Sequence, residues 1–411
     1  MNKLNFLMIA LAAILGFSSC DKHDCNDYEH SADLTGTWTY IGPGYAEALV
    51  ISADGSVVST GVEGNEYWED VNGTIVVKDG KVTMTFEDDD NFEGHFDIIP
   101  GVAFSIYTEE GERFIYQYCK EDLSDEIVGM WVCNGGPSDV TGDMAIQTYK
   151  NNGKVIVTTS NYHASGSPII NKEDNYTIIG DLLIFNISEE NMSVPQYVAT
   201  RLLYTANGTS LGDIMTQKMY IATENGSVET TSSWLRVNQI LNLTGKKYEY
   251  SNLYVTNVKG LDREIDFLGF KFNFAKMDGG RLDKMLKTLL FTFEFPDANT
   301  IKYSCHYNNL EPASVSAPIA VDGNKMTIKM SETYPAVKDV DFYAFQDVDG
   351  CQMHIYMPSY SVVNFFANMQ ITMMSQMQKL DLTDAAAVKA VYDSIDEAVE
   401  TINISIVMGN R

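Results

Sequence analysis

The chain has 411 residues, with 56 Asp and Glu against 28 Lys and Arg, and a formal net charge of -28. That excess excludes a nucleic-acid partner gripped through its phosphates and docking on an anionic membrane surface, since both need clustered Lys and Arg. At 45% hydrophobic and 11% aromatic residues the chain has ample apolar material for packed cores, and its length suits two or three domains.

Lys3 precedes an apolar run from Phe6 to Phe17, which is followed by Ser18, Ser19 and Cys20. This is the plan of a secretory signal, and the run is shorter than the roughly 20 residues that cross a bilayer as a helix. A cysteine behind two small residues resembles the lipobox of bacterial lipoproteins, with Phe17 where that family usually has Leu. The resemblance implies removal of residues 1–19, lipid attachment at Cys20, and anchorage of the chain in the bacterial outer membrane through N-terminal acyl chains. Residues 20–33 form an acidic tether, opening Cys20-Asp21-Lys22-His23-Asp24-Cys25-Asn26-Asp27. It is similar to surface-export signals of lipoproteins in the Bacteroides group, so the anchored protein is expected to face the periplasm or the cell surface. With Cys20 acylated, five cysteines remain, and Cys305 with Cys351 is the expected disulfide because both lie in strand-like segments of the last domain.

Self-comparison reveals three copies of one plan. Leu34-Thr35-Gly36-Thr37-Trp38 is echoed by Ile127-Val128-Gly129-Met130-Trp131 and by Leu243-Thr244-Gly245-Lys246-Lys247-Tyr248. Each is an apolar residue, a glycine and an alternating strand. Downstream of each start, Asp79-Gly80, Gly180-Asp181 and Asp322-Gly323 separate two alternating segments, as a tight hairpin with positive φ at its centre requires. Closing strands are expected at Arg113–Cys119, Ser232–Val237 and Gln352–Met357. Many short strands with period-2 alternation close into antiparallel barrels.

These glycine-tryptophan openings with their hairpins resemble the calycin superfamily, specifically the lipocalin-like domains of uncharacterised lipoproteins of the Bacteroides group. The fold class implied is mainly β, with tandem antiparallel lipocalin-like β-barrels at 34–126, 127–238 and 239–411. In that family the tryptophan closes one end of the barrel and the other end often holds an apolar molecule. Trp38 and Trp131 are then the barrel floors, and the third copy departs with Lys247 or Tyr248 in that place.

The last domain carries helical patterns. Leu282, Met285, Leu286 and Leu289 share one face of a helix within 281–290, and Val362, Phe365, Phe366, Met369, Met373 and Met377 form a stripe on a longer one after Pro358. A third helix is expected from Asp384 to Glu400, capped by Thr383, before a final strand through Ile402, Ile404, Ile406 and Met408. The thioethers of Met369, Met373 and Met377 suit either a lid over an apolar ligand or simple core packing.

Catalytic and metal chemistry finds little footing. None of the six histidines has ligand spacing, and Cys305, His306, Cys351 and His354 point to both faces of their strands. Asp88-Asp89-Asp90 lacks the spacing of a calcium loop. Neither an enzyme nor a cofactor is expected, and the pattern reads as a non-enzymatic binding module for a small apolar or amphipathic ligand, with a scaffold lipoprotein and then a hydrolase as the competing classes. Most of the charge is local: residues 20–126 carry 25 acids and 5 bases, against a net -5 in 127–235 and -4 in 236–411. Repulsion between this acidic stretch and an anionic bilayer acts within about 8 Å at physiological salt. Neutralising Glu87 to Asp90 and Glu109 to Glu112 is expected to increase liposome binding at low salt, as measured by co-sedimentation.

Overall fold

The computed structural model describes residues 34–410 except 88–90, 110, 134–143, 161–168, 188–195, 210–211, 224–225, 240–242, 261, 268–269, 277–283, 285–286, 289–290, 306–312, 347–350 and 358. The signal, Cys20 and the tether lie outside the described residues. So do Asp88 to Asp90, His306 and most of the helical pattern at 281–290. Contacts divide the chain after Asp122 into two compact units, where the sequence suggested three successive barrels.

The first unit contains β1 (Gly36–Gly42), β2 (Tyr45–Ile51), β3 (Ser56–Glu63), β4 (Glu66–Lys78), β5 (Lys81–Phe86), β6 (Asn91–Ile99), β7 (Ala103–Tyr107) and β8 (Arg113–Cys119). Each strand pairs with the next, and β8 returns to β1 through Thr37↔Cys119 and Trp38↔Tyr118, so the barrel has no edge. Alternation turns one side chain in two inward, and Trp38, Leu49, Ile75, Val82, Phe104 and Ile106 pack together at the barrel's core. Trp38 is fully buried, and its indole N–H donates to the Leu34 carbonyl at 2.6 Å, which ties the entering chain across that end.

The second unit repeats the plan. Strands β9 (Gly129–Cys133), β10 (Met144–Lys150), β11 (Lys154–Ser160), β12 (Ile169–Ile179), β13 (Leu182–Ile187), β14 (Gln196–Thr209), β15 (Gly212–Thr223) and β16 (Gly226–Gln239) form a ring closed by Trp234↔Cys133. Then β17 (Lys247–Gly260) leads through a side hairpin of β18 (Ile265–Phe267) and β19 (Phe270–Phe272) into the strands of the next ring. These are β20 (Thr292–Asp297), β21 (Thr300–Cys305), β22 (Ala313–Asp322), β23 (Lys325–Ile328), β24 (Val340–Gln346), β25 (Gln352–Met357) and β26 (Val399–Asn410). Pairing of β17 with both β20 and β26 closes that ring, so its closing strand is β26 and not β25. The three hairpin echoes fall between the fourth and fifth strands of each ring, at β4–β5, β12–β13 and β22–β23. All three have a two-residue turn with a positive-φ glycine.

Trp131 repeats the closure of Trp38, donating to the Ile127 carbonyl at 2.7 Å, and the Arg236 guanidinium stacks on its ring 4.8 Å from the centroid. Tyr248 takes the equivalent place in the third ring, fully buried, with its hydroxyl accepting from Gln346 at 3.1 Å. The second and third rings are joined: Asn238 and Gln239 of β16 pair with Gln346 and Phe345 of β24. Outward-facing Val132, Ile146 and Val237 from one ring meet Tyr343, Phe345 and Tyr356 from the other in a separate apolar cluster.

Helix α1 (Ser359–Gln376) packs Val362, Phe365, Phe366 and Met369 into the core of the third ring. The space left among Tyr303, Ile328, Phe365 and Met369 is about 10 Å³, room for one water at most. Met369 and Met373 are therefore core side chains, and Met377 is 47% exposed, so the stripe does not form a lid over a ligand. Helix α2 (Ala385–Asp396) is capped by Asp384, whose carboxylate accepts from the amides of Ala386 and Ala387, in place of the expected Thr383. Thr383 instead donates to Asp381, and the helix stops before β26 begins at Val399.

The expected disulfide conflicts with the register. Cys305 ends β21 opposite Ala313 and Cys351 immediately precedes β25. Three strands separate β21 from β25 in either direction round the ring, and the antiparallel order sends those two ends to opposite rims. A bridge needs Cα atoms within about 7 Å. Membership of strand-like segments in one domain does not fix the strand order.

Replacing Phe345, which is fully buried between the rings, with Ala is expected to destabilise the second unit by about 3–5 kcal/mol. Calorimetry is expected to show the transition of the second unit split into two in the variant, one for each ring.

Candidate functional site

The end of the first barrel away from Trp38 is open. The β1–β2, β3–β4 and β7–β8 turns surround its mouth, and the cavity below holds about 750 Å³. Local sequence explains why the two ends differ. Toward Trp38 the inward side chains, Leu49, Val57, Ile75, Val82 and Ile106 with the rings of Phe104 and Tyr118, interlock around the indole, whereas toward the mouth the inward rings line a wall. Tyr40, Tyr45, Trp68, Phe92 and Phe114 form this wall, with centroids of Tyr40 and Phe114 5.3 Å apart, Tyr45 and Trp68 5.9 Å, and Phe92 and Phe114 5.7 Å. Such offset and edge-on pairs fix large flat surfaces at little entropic cost.

Trp68 owes its position to two local features. The register of β3 against β4 shifts between Ser59 and Gly61, a bulge that re-aims the side chains of β4. At Gly61 a Cβ would lie 2.3 Å from the Trp68 ring and 2.6 Å from the Ala46 carbonyl, so only glycine lets the indole lie against β3.

At the bottom of the cavity stands Glu47. It shares the inward face of β2 with Tyr45, Leu49 and Ile51, and is 4% exposed. Ser59 Oγ donates to its Oε1 at 2.6 Å, while the Tyr45 hydroxyl, at 3.0 Å, and the Tyr116 hydroxyl both donate to Oε2. Trp68 Nε1 donates to Ser59 Oγ at 2.8 Å, which turns the serine proton toward the glutamate. Burial raises the Glu47 pKa from the ordinary glutamate value, and the hydroxyl donors offset only part of that rise. The same burial, with the carboxylate beside it, drives the Tyr116 and Tyr45 phenols up. Among the described lining residues Arg113 is the one cation; its guanidinium stacks 4.8 Å from the centroid of Tyr107 on the outer face of the strands. At the mouth the described lining also carries the acids Glu63, Glu66 and Glu112.

Of the residues singled out from sequence, Trp38 and Trp131 each seal the end at which their ring's first strand begins. His354 is buried on β25, and no group of three or more His, Cys, Asp or Glu side chains suited to a metal occurs among the described residues. Cys133 is buried, which pushes its thiol up to about 12 and leaves it protonated and unreactive. Glu47 was missed. The signal was present, since a single acid on the otherwise apolar face Tyr45, Leu49, Ile51 is the mark of a buried charge.

No family model matches the chain, and no curated protein does. Among solved structures, a mutant of the vaccine antigen transferrin binding protein B from Haemophilus parasuis Hp5 aligns at 8% identity and a TM-score of 0.24, over 89% of this chain and 65% of that one. Isotype 1 transferrin binding protein B from serogroup B Neisseria meningitidis aligns at 8% identity and 0.21, over 90% and 66%. The H. pylori beta clamp in complex with diflunisal aligns at 10% identity and 0.14, over 99% and 98%. This chain thus spans just under two thirds of the two transferrin binding proteins, and superpositions this loose carry no argument about its function.

A carboxyl whose folded pKa is raised stabilises the fold only while it is protonated. Between the unfolded value of about 4.3 and the higher folded value, the native state holds the extra proton and stability falls as pH rises. Glu47→Gln keeps an acceptor and removes the charge, so thermal unfolding should show a higher Tm than the wild type at pH 7 to 8. That advantage should disappear below about pH 4.

Proposed function

We propose that the protein is a lipid-anchored, non-enzymatic binding protein of the bacterial outer membrane, whose first barrel holds a small amphipathic molecule. The observation that carries this reading is the open cavity of about 750 Å³, aromatic in its walls and polar at its floor and mouth. Its size falls in the range of roughly 300–1,000 Å³ typical of small-molecule sites, and its few convergent polar groups are of the kind that orient a ligand. The second and third rings are built differently. Tyr149, Gln147 and Gln217 form a hydrogen-bonded group within the second, and α1 fills the third. Anchorage rests on the signal sequence ending at Cys20, and the acidic tether would hold the barrel clear of the bilayer on its periplasmic or cell-surface side.

Binding of the neutral fluorescent probe N-phenyl-1-naphthylamine to the protein lacking its signal is expected to be saturable. Val71 lines the cavity opposite Ser59, and Val71→Trp should fill part of the space and weaken probe binding by about tenfold or more, without loss of Tm. Equal probe binding by wild type and variant would place the site elsewhere.

A further inference from the structure

The chemistry of the first barrel's floor selects among amphipathic ligands. We propose that this cavity binds an organic cation: a molecule with an ammonium head that reaches Glu47 and an apolar body that lies among the rings of Tyr40, Tyr45, Trp68 and Phe114. The inference rests on the binding reading of the same barrel and names its ligand class.

The first argument is the count of acceptors. A carboxylate offers about four lone-pair positions. Ser59, Tyr45 and Tyr116 fill three of them, all as donors, and one remains for a donor from the cavity. Those three hydroxyls satisfy hydrogen bonding without supplying charge. An ionised group this deeply buried is strongly disfavoured without a counter-charge, and the described lining residues provide none at the floor. An ammonium ligand completes both the hydrogen bonding and the charge.

The second argument is independent of Glu47. The walls carry the rings of Tyr40, Tyr45, Trp68, Phe92 and Phe114, and the face of such a ring attracts a cation electrostatically within about 6 Å of its centre. The third is the mouth, where Glu63, Glu66 and Glu112 give the entrance a negative potential that concentrates cations and turns away fatty acids and other carboxylates. Floor, wall and mouth therefore favour one sign of ligand charge. A metal ion fits poorly, since hard cations require six or more oxygen ligands and the floor offers one carboxylate already encircled by hydroxyl donors.

A matched series separates charge from shape. We take 4-phenylbutylamine, 4-phenylbutan-1-ol and 4-phenylbutanoate, which share one apolar body, and measure each by isothermal titration calorimetry against the protein lacking its signal. The amine is expected to bind about tenfold or more tightly than the alcohol, and the carboxylate more weakly than either. Glu47→Gln should abolish the amine's advantage over the alcohol, and its Tm, measured alongside, reports that the variant is folded. An alcohol or carboxylate that binds as tightly as the amine to the wild type overturns the cation assignment and leaves the barrel a binding module. Failure of all three ligands and of the neutral probe overturns both readings.

Discussion

A carboxyl group buried in a barrel and surrounded by hydroxyls, with no cation beside it, is the constraint around which the first barrel is organised. Glu47 is held by Tyr45 on its own strand, by Ser59 on the adjacent β3, and by Tyr116 on β8, which reaches it only because the barrel closes. The hydroxyls satisfy hydrogen bonds, but they leave the charge uncompensated, and burial therefore pushes the group toward its protonated form. Ionisation of Glu47 at neutral pH therefore works against the fold, and the group stands at the end of an open cavity.

Closure of the ring makes this possible. Eight antiparallel strands leave an interior just wide enough to be filled by side chains or to hold one small ligand, and the choice depends on what alternate residues put there. The three rings resolve that choice in different ways on one plan. Each begins with a glycine and a buried aromatic residue, Trp38, Trp131 or Tyr248, and each turns between its fourth and fifth strands on a two-residue hairpin. Beyond that shared frame the first ring keeps an aromatic-walled cavity, the second carries the glutamine and tyrosine hydrogen bonds, and the third admits α1. The second and third rings share strand pairing and an apolar cluster centred on Phe345, which makes them one compact unit.

Much of this frame was legible in the residues. Alternation in segments such as Arg113–Cys119 matched β8 end to end, and the Asp-Gly and Gly-Asp pairs marked real hairpins, because a turn of two residues leaves few conformations and fewer residue types that adopt them. What could not be read depended on long-range order. The Cys305–Cys351 pairing failed because residues near strand ends come together only when the strands are neighbours at the same rim. The Met stripe was ambiguous because an apolar helix face looks the same whether it covers a core or a ligand; Met369 lies in a core and Met377 in solvent. The start of α2 shifted by one residue, since Thr383 and Asp384 are both good caps and only the geometry of the turn decides between them. Glu47 stood in plain view on β2, but its meaning comes from Ser59 and Tyr116, 12 and 69 residues away.

The most direct test of the account is the titration of Glu47 itself. In protein labelled with carbon-13 at the glutamate side-chain carboxyl, the Glu47 signal is assigned by its loss in Glu47→Gln and followed by NMR as pH is varied. The account predicts a midpoint above the ordinary value of about 4.3 in the empty protein, and a lower one once 4-phenylbutylamine is bound. A midpoint at or below that ordinary value, or one that the amine does not move, would contradict it.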